Sequence, residues 1–168
     1  MQELRKQAAE IANDVQVLSH ELHSAKLEYL GVAGGMRSWC REFADRHEME
    51  IDFKSSEGLS SPPSEISLCL FRVLQESLHN VAKHSGVKHV EVRLREESNE
   101  IQLLVSDLGR GFDLETAVQG RGLGIMSMQE RVRLVDGIIE IRSTPMGGTT
   151  VHVRVPLASE TGSQRAAG

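Results

Sequence analysis

Cysteine is scarce in this chain. Cys40 and Cys69 stand alone, with no CxxC spacing, which excludes a disulfide framework and a thiolate zinc site; two buried thiols in a reducing cytosol is the plain reading. Long apolar runs are missing as well. No stretch approaches the ~18–20 residues needed to span a bilayer, and no signal-peptide pattern opens the chain. Nor is there a Lys/Arg cluster, and the formal net charge is −5 over 168 residues. Both observations argue against broad affinity for nucleic acid. A GxxxxGKS/T sequence is absent, so there is no P-loop. What remains is ordinary for a soluble globular protein: 39% apolar and 26% charged residues, enough for one domain and an appendage.

Residues 3–30 carry no Gly or Pro. Apolar or small residues fall at Leu4, Ala8, Ile11, Val15, Leu18, Leu22, Ala25 and Tyr29. The steps alternate four and three, a heptad seam that predicts one long helix with a narrow stripe for other helices. His20 and His23 lie off that stripe. Gly31, Gly34 and Gly35 then interrupt the pattern, and 36–47 reads as a shorter helix through Met36, Trp39, Cys40 and Phe43.

Alternation predicts a strand at 49–55 through Met49, Ile51 and Phe53. "SEGLSSPP" is a loop by composition. Ser64 can cap a following helix with Glu65 in its first turn. That helix runs to about Ser85, its core face being Ile66, Leu70, Leu74, Leu78 and Val81, and Gly86 sits where a left-handed cap belongs. Val90, Val92 and Leu94, then Ile101, Leu103 and Val105, predict two strands joined as a hairpin by "ESN". A glycine-rich stretch precedes a helix near 123–135, and two strands flank "TPMGG". Half-wet strands with helices gathered on one side make an α+β fold, a two-layer α/β sandwich, preceded by the long helix. The polar tail, 158–168, is expected to be loose.

Four features carry chemistry. In "LQESLHNVAKH", Glu76 and Asn80 are i and i+4 and share a helix face with Arg72 and Lys83. Such faces are usually just solvated, but an amide oxygen beside a carboxylate suits Mg²⁺, which takes hard oxygens and keeps several waters. In "VSDLGRGFD", Asp107 ends a strand and Gly109 and Gly111 follow. That carboxylate could accept hydrogen bonds from an exocyclic amine such as adenine's; alternatively the motif is a plain turn. In "GRGLGIMSMQERV", Gly120, Gly122 and Gly124 lead into a helix whose first N–H groups can meet phosphate oxygens. No strand runs directly into them, unlike a dinucleotide-binding βαβ unit. In "MGGTTVHV", Thr149 opens the last strand, where it could hydrogen-bond a base or a water beside Asp107. The histidines His79, His84 and His89 read as surface residues, His84 beside Lys83 being near enough to approach nucleotide phosphates.

In this order and spacing, the four segments resemble the GHKL (Bergerat-fold) ATP-binding domains of sensor histidine kinases, in the two-component subfamily paired with LuxR-type (NarL-type) response regulators. "QESLHNVAKHS" looks like that subfamily's N box, "DLGRGF" its G1 box, "GRGLGIMSMQERV" its G2 box and "GGTTVHVRVP" its closing strand. The resemblance covers roughly residues 18–157. It implies that Asn80 ligates Mg²⁺, that Glu76 polarises the attacking group or positions the metal, and that Asp107 reads the adenine amine. It further implies an ATP lid at 113–121 and a phosphate cradle of Gly122, Leu123 and Gly124. ATP and Mg²⁺ are the cofactors implied, and a response regulator and a homodimer of the intact kinase the partners. No nucleic acid and no direct membrane contact are expected, and the location implied is cytoplasmic, with the anchoring of the parent protein left open.

Phosphoryl transfer from ATP to an imidazole needs an exposed acceptor near a carboxylate. "SHEL" puts Glu21 after His20. "ELHS" resembles the subfamily's "ELHD" box, but Ser24 stands where the acid should be. Only 25 residues separate His23 from Met49, too few for the rest of one helix and a full second one. The expectation is therefore that 1–32 is the second helix of a dimerisation and histidine-phosphotransfer hairpin, that 33–157 is the ATP-binding catalytic domain, and that the acceptor lies upstream. Three alternatives stay open: a self-contained kinase with His23 or His20 as acceptor, a serine kinase of the anti-sigma-factor type, and a nucleotide-binding interaction module without transfer activity. The spacing of His20 and His23 can also clamp a metal, but nothing nearby completes a ligand set.

Overall fold

The structure is a computed structural model, and it describes residues 2–113 and 123–157. The expectations for the side chains of His20 and His23, for Gly120 and Gly122, for the lid and for the tail from 158 lie outside the described residues.

Helix α1 (Gln2–His47) contains one residue that is not helical, Gly31, at φ 70° and ψ 169°. Only glycine tolerates that combination, so the chain bends there into two helical arms. Gly34 and Gly35 were expected to break the pattern with it; instead they are helical. Close packing explains Gly35, because a Cβ there would lie 2.8 Å from Leu27 Cδ2. An ion pair between Lys26 and Glu42 spans the bend. Sixteen residues of straight helix would separate these groups by about 24 Å. The second arm buries Met36, Trp39, Cys40 and Phe43, as its pattern predicted. On the first arm, Tyr29, a stripe residue, is 89% exposed.

Helix α2 (Ser64–Asn80) buries Ile66, Leu70, Leu74 and Leu78, the expected face. Each such side chain contributes roughly 1.5–3 kcal/mol of burial. Ser64 is not the cap. Pro63 occupies that position, with no side-chain hydrogen bond, and its carbonyl accepts from the Ser67 N–H at 3.0 Å. The predicted helix to Ser85 divides: α2 ends at Asn80, and a π-helical turn (Val81–Ser85) completes it before Gly86, at φ 75°. Trp39 meets Phe71 edge-on at 5.8 Å, joining the second arm of α1 to α2.

The sheet contains β1 (Glu50–Ser55), β2 (His89–Glu97), β3 (Glu100–Asp107), β4 (Ile138–Ser143) and β5 (Thr149–Pro156). Its order is β1-β2-β3-β5-β4. β1 is parallel to β2, and the other pairs are antiparallel. The predicted hairpin forms, with a two-residue connection. Ser98 and Asn99 both adopt positive φ, 54° and 62°, the conformation of the tight turn that matches strand twist. The alternation in β2, β3 and β5 buries Val90, Val92, Leu94, Ile101, Leu103, Val105, Val151, Val153 and Val155. Against this face pack α2 and α3 (Leu123–Arg133). Helix α3 ends two residues short of the predicted 135. On the opposite face Glu91 and Arg93 pair at 2.6 Å in the open. The result is the two-layer α+β sandwich expected from the strand alternation, with the helices on one side.

Candidate functional site

Between the helical layer and the sheet lies a cleft of about 350 Å³. Its helical wall is one face of α2 and the π-turn. Ser77, Asn80, Val81, His84 and Ser85 recur at spacings of three and four and line it. The sheet wall comes from Val105, Asp107, Ile141, Thr149 and Val151. Gly124, Ile125 and Met128 of α3 close one side, and Gly111 and Phe112 another.

The turn after β3 is fastened to the end of the π-turn. Arg110 N–H donates to the Ser85 carbonyl at 2.8 Å. A Cβ at Gly109 would lie 2.6 Å from both Ser85 Cβ and Ser85 O, so the two segments touch because residue 109 has no side chain. At Gly111, φ is +56°, and a Cβ would fall 2.1 Å from the Thr144 carbonyl. Glycines in this turn therefore serve close backbone approach as much as dihedral freedom.

Asp107 is the charged group of the sheet wall. It is 6% exposed. Its Oδ1 accepts from the Gly109 N–H at 2.8 Å. Burial pushes its pKa up from the ordinary carboxylate value, and the backbone hydrogen bond partly offsets that. A buried carboxylate whose donor among the described residues is the Gly109 N–H is set to take hydrogen bonds from a ligand. Across the floor, Ser77 Oγ donates to Met128 Sδ at 3.7 Å, tying α2 to α3 beneath the cleft.

Of the residues singled out from sequence, Asn80, His84, Asp107, Gly111, Gly124 and Thr149 meet in this cleft. Glu76, Lys83 and Gly109 are not among its lining residues. Glu76 instead abuts Gly124, where a Cβ would lie 2.0 Å from Glu76 Oε1. Lys83 is exposed on the π-turn. Leu123 begins α3. Sequence reasoning missed the apolar lining, Val105, Ile125, Met128, Ile141 and Val151. These positions carry the same periodicity as the core, which hides a pocket wall. Ser77 did leave a signal: a small polar residue between Leu74 and Leu78 on the buried face of a helix.

Among the described residues no group of three or more His, Cys, Asp or Glu side chains could hold a metal. Mg²⁺ needs no such cage, because it is commonly held by one or two oxygen ligands, substrate phosphates and water. The half-buried amide of Asn80 at the cleft and the Glu76 carboxylate one turn earlier fit that donor chemistry.

Comparison with known proteins decides the family. The profile described as "Histidine kinase-, DNA gyrase B-, and HSP90-like ATPase" matches residues 65–159, more than half of the chain. The chain belongs to this ATPase family. Within it, the chain is 29% identical over 160 residues to the signal transduction histidine-protein kinase/phosphatase DegS of Brevibacillus brevis, covering 95% of this chain and 41% of that protein. It is 35% identical over 147 residues to the oxygen sensor histidine kinase NreB of Staphylococcus carnosus, covering 88% and 42% respectively. The chain thus spans about two fifths of the length of these curated relatives. Among solved structures, the histidine kinase domain of the Erythrobacter litoralis EL346 blue-light activated histidine kinase superposes with a TM-score of 0.63 at 18% identity, covering 75% of this chain and 61% of that one. The GHKL ATPase fold expected from the four boxes is the fold of this chain, and the cleft lies within the matched segment.

Proposed function

We propose that this chain is the ATP-binding catalytic region of a two-component sensor histidine kinase, which transfers the γ-phosphoryl group of ATP to a histidine upstream of residue 1. The observation that carries the reading is the meeting of Asn80 and Asp107 in one cleft whose remaining wall is largely apolar. An apolar slot with a carboxylate suits a purine ring bearing an exocyclic amine, and an amide at the other wall suits the phosphate end. Asp107 would accept from the adenine amine, with Thr149 beside it. Leu123 and Gly124 at the start of α3, with Gly122 preceding them in sequence, would present backbone N–H groups to phosphate oxygens, and Lys83 and His84 would approach them. Asn80, with Glu76, would hold Mg²⁺, which supplies charge neutralisation at the phosphates when bound. Transfer of this kind rests on positioning and electrostatics. The chain's own part is to bind and orient ATP and, through Glu76, to polarise the attacking imidazole.

The arm before Gly31 would be the second helix of a hairpin that completes a homodimer in the intact kinase, which fits the exposed Tyr29 on its stripe. The partner would be a response regulator of the LuxR/NarL type, and the setting cytoplasmic. No described helix is long and apolar enough to cross a membrane.

Calorimetry with Mg·ATP and labelling with γ-labelled ATP test the proposal. The chain should bind Mg·ATP, Asn80→Asp should weaken binding at least tenfold, and the isolated chain should not label itself while it labels a supplied acceptor hairpin. Absence of ATP binding would overturn the nucleotide assignment. Self-labelling lost in His23→Ala would overturn the upstream acceptor, and binding without labelling of any hairpin would favour a nucleotide-binding module.

A further inference from the structure

Among the described residues, Arg72 alone buries side-chain polar atoms that meet no partner, its Nε and Nη2. Its third nitrogen, Nη1, donates to Gln75 Oε1 at 2.7 Å. Burial lowers the Arg72 pKa, and Arg131 of α3 lowers it further. A guanidinium edge held out of water without an acceptor is unfavourable.

Nε and Nη2 form the edge that grips a carboxylate through two parallel bonds. Elsewhere in this chain the same edge is filled. Arg133 donates from Nε at 3.1 Å and from Nη2 at 2.8 Å to the two oxygens of Glu130. The Arg72 edge is closed to solvent, so its acceptor has to come from inside the protein. Helices α2 and α3 carry three carboxylates, Glu65, Glu76 and Glu130. Glu130 is held by Arg133, and Glu65 lies two turns before Arg72 at the exposed start of α2. Glu76 lies one turn after Arg72 on the same face, where Cβ atoms four residues apart are about 5–6 Å from each other. No side-chain hydrogen bond or ion pair among the described residues holds Glu76.

In this structure Glu76 has a different seat. Its Oε1 fills the space of the side chain that Gly124 lacks, in the first turn of α3. The helix dipole and the free N–H groups favour a carboxylate there. Those N–H groups are the ones assigned above to phosphate oxygens, and two anions cannot share them. Resting on the nucleotide reading above, we infer that Arg72 is a positioning residue for Glu76. Arriving phosphates push the Glu76 carboxylate off the start of α3, and it turns back one helical step onto the Nε–Nη2 edge of Arg72. The phosphates take the helix terminus, and Arg72 gains the acceptor it lacks. A carboxylate gripped on one side keeps lone pairs on the other, so the seated Glu76 is still able to accept from an attacking imidazole.

Calorimetry on the full chain tests this with Mg·ATP and with adenosine, which carries no phosphate. Arg72→Met should weaken Mg·ATP binding on the order of tenfold, the scale of a hydrogen bond between charged groups, and change adenosine binding less than about twofold. Whatever Glu76→Gln does to affinity by itself, adding Arg72→Met to it should then weaken Mg·ATP binding by less than about twofold, because no carboxylate is left to seat. Arg72→Lys keeps the charge without the two-pronged edge and should recover only part of the loss. A purely structural role for Arg72 would weaken Mg·ATP and adenosine alike, with or without Glu76→Gln; that result overturns the inference. If Arg72→Met fails to fold, Arg72→Lys carries the same comparison, and a loss of Mg·ATP affinity that Glu76→Gln does not abolish overturns it too. A wild-type chain that binds neither ligand refutes the underlying nucleotide reading and takes the inference with it. A chain that binds Mg·ATP equally well with and without the Arg72 substitutions refutes the inference alone.

Discussion

Asn80 and Asp107 are each the last residue of their element, α2 and β3, and both line one cleft between the two layers. Side chains at the ends of elements can be brought together by the turns that follow them. Here those turns are stapled to each other through Ser85 and Arg110. The cleft is therefore held from behind by backbone contacts.

Replacing Asp107 with Asn separates stability from recognition. Burial raises the Asp107 pKa above its ordinary value of 3.8, so between that value and the raised one the folded chain holds more protons than the unfolded chain. Its contribution to stability is then fully present below pH 3.8 and is lost as the pH rises through the raised folded value. At pH 7 the ionised carboxylate is a net cost in the ligand-free protein. Asp107→Asn should raise the melting temperature at pH 7 by about 2–4 °C, with the gain shrinking toward pH 4, while ATP binding weakens. Thermal unfolding at the two pH values checks the first part, and a melting temperature that falls at pH 7 would contradict it.

Gly31→Ala should destabilise the chain by about 1–3 kcal/mol, the cost of forcing a side chain into a glycine-only conformation. Apart from its chain neighbours and the adjoining helix backbone, no atom of the described residues lies within 4 Å of the missing Cβ, so the loss would be backbone strain and not a clash. Urea denaturation measures it. A loss below about 0.5 kcal/mol would mean that the bend relaxes into continuous helix.

Both thiols should be unreactive in the folded protein. Burial pushes Cys40 up to about 12 and Cys69 up to about 11, against small opposing effects from Arg37 and Arg131. At pH 8 the thiolate fraction of either is roughly one in a thousand or less. Titration with a chromogenic disulfide reagent should find no fast-reacting thiol in the native chain and two after denaturation.

The sequence displayed whatever a residue does through its own neighbours. Period-two runs at Val90–Val92–Leu94 and Ile101–Leu103–Val105, the helical stripe from Ile66 to Val81, and the left-handed stop at Gly86 were all legible, because local sterics and one buried face produce them. Partnerships across the chain were not. Gly35 looked like a helix breaker because its contact is Leu27, on the far side of a bend. Nothing local predicts that β1 lies parallel to β2. Ser143 carried no signal at all, since its hydroxyl takes the Phe112 N–H, thirty-one residues away. The apolar lining of the cleft leaves no signal of its own, as Met128 and Ile125 obey the same burial pattern as the core.

The bend at Gly31 has a mechanical consequence. Lys26 and Glu42, which bridge it, are both substantially exposed, and an exposed ion pair is worth at most about 1 kcal/mol and is screened by salt. Gly31 adds no side chain to brace the corner. Leu27, buried against Gly35, is an apolar contact across the same corner, so only the ion pair's share of the joint's stiffness falls as ionic strength rises.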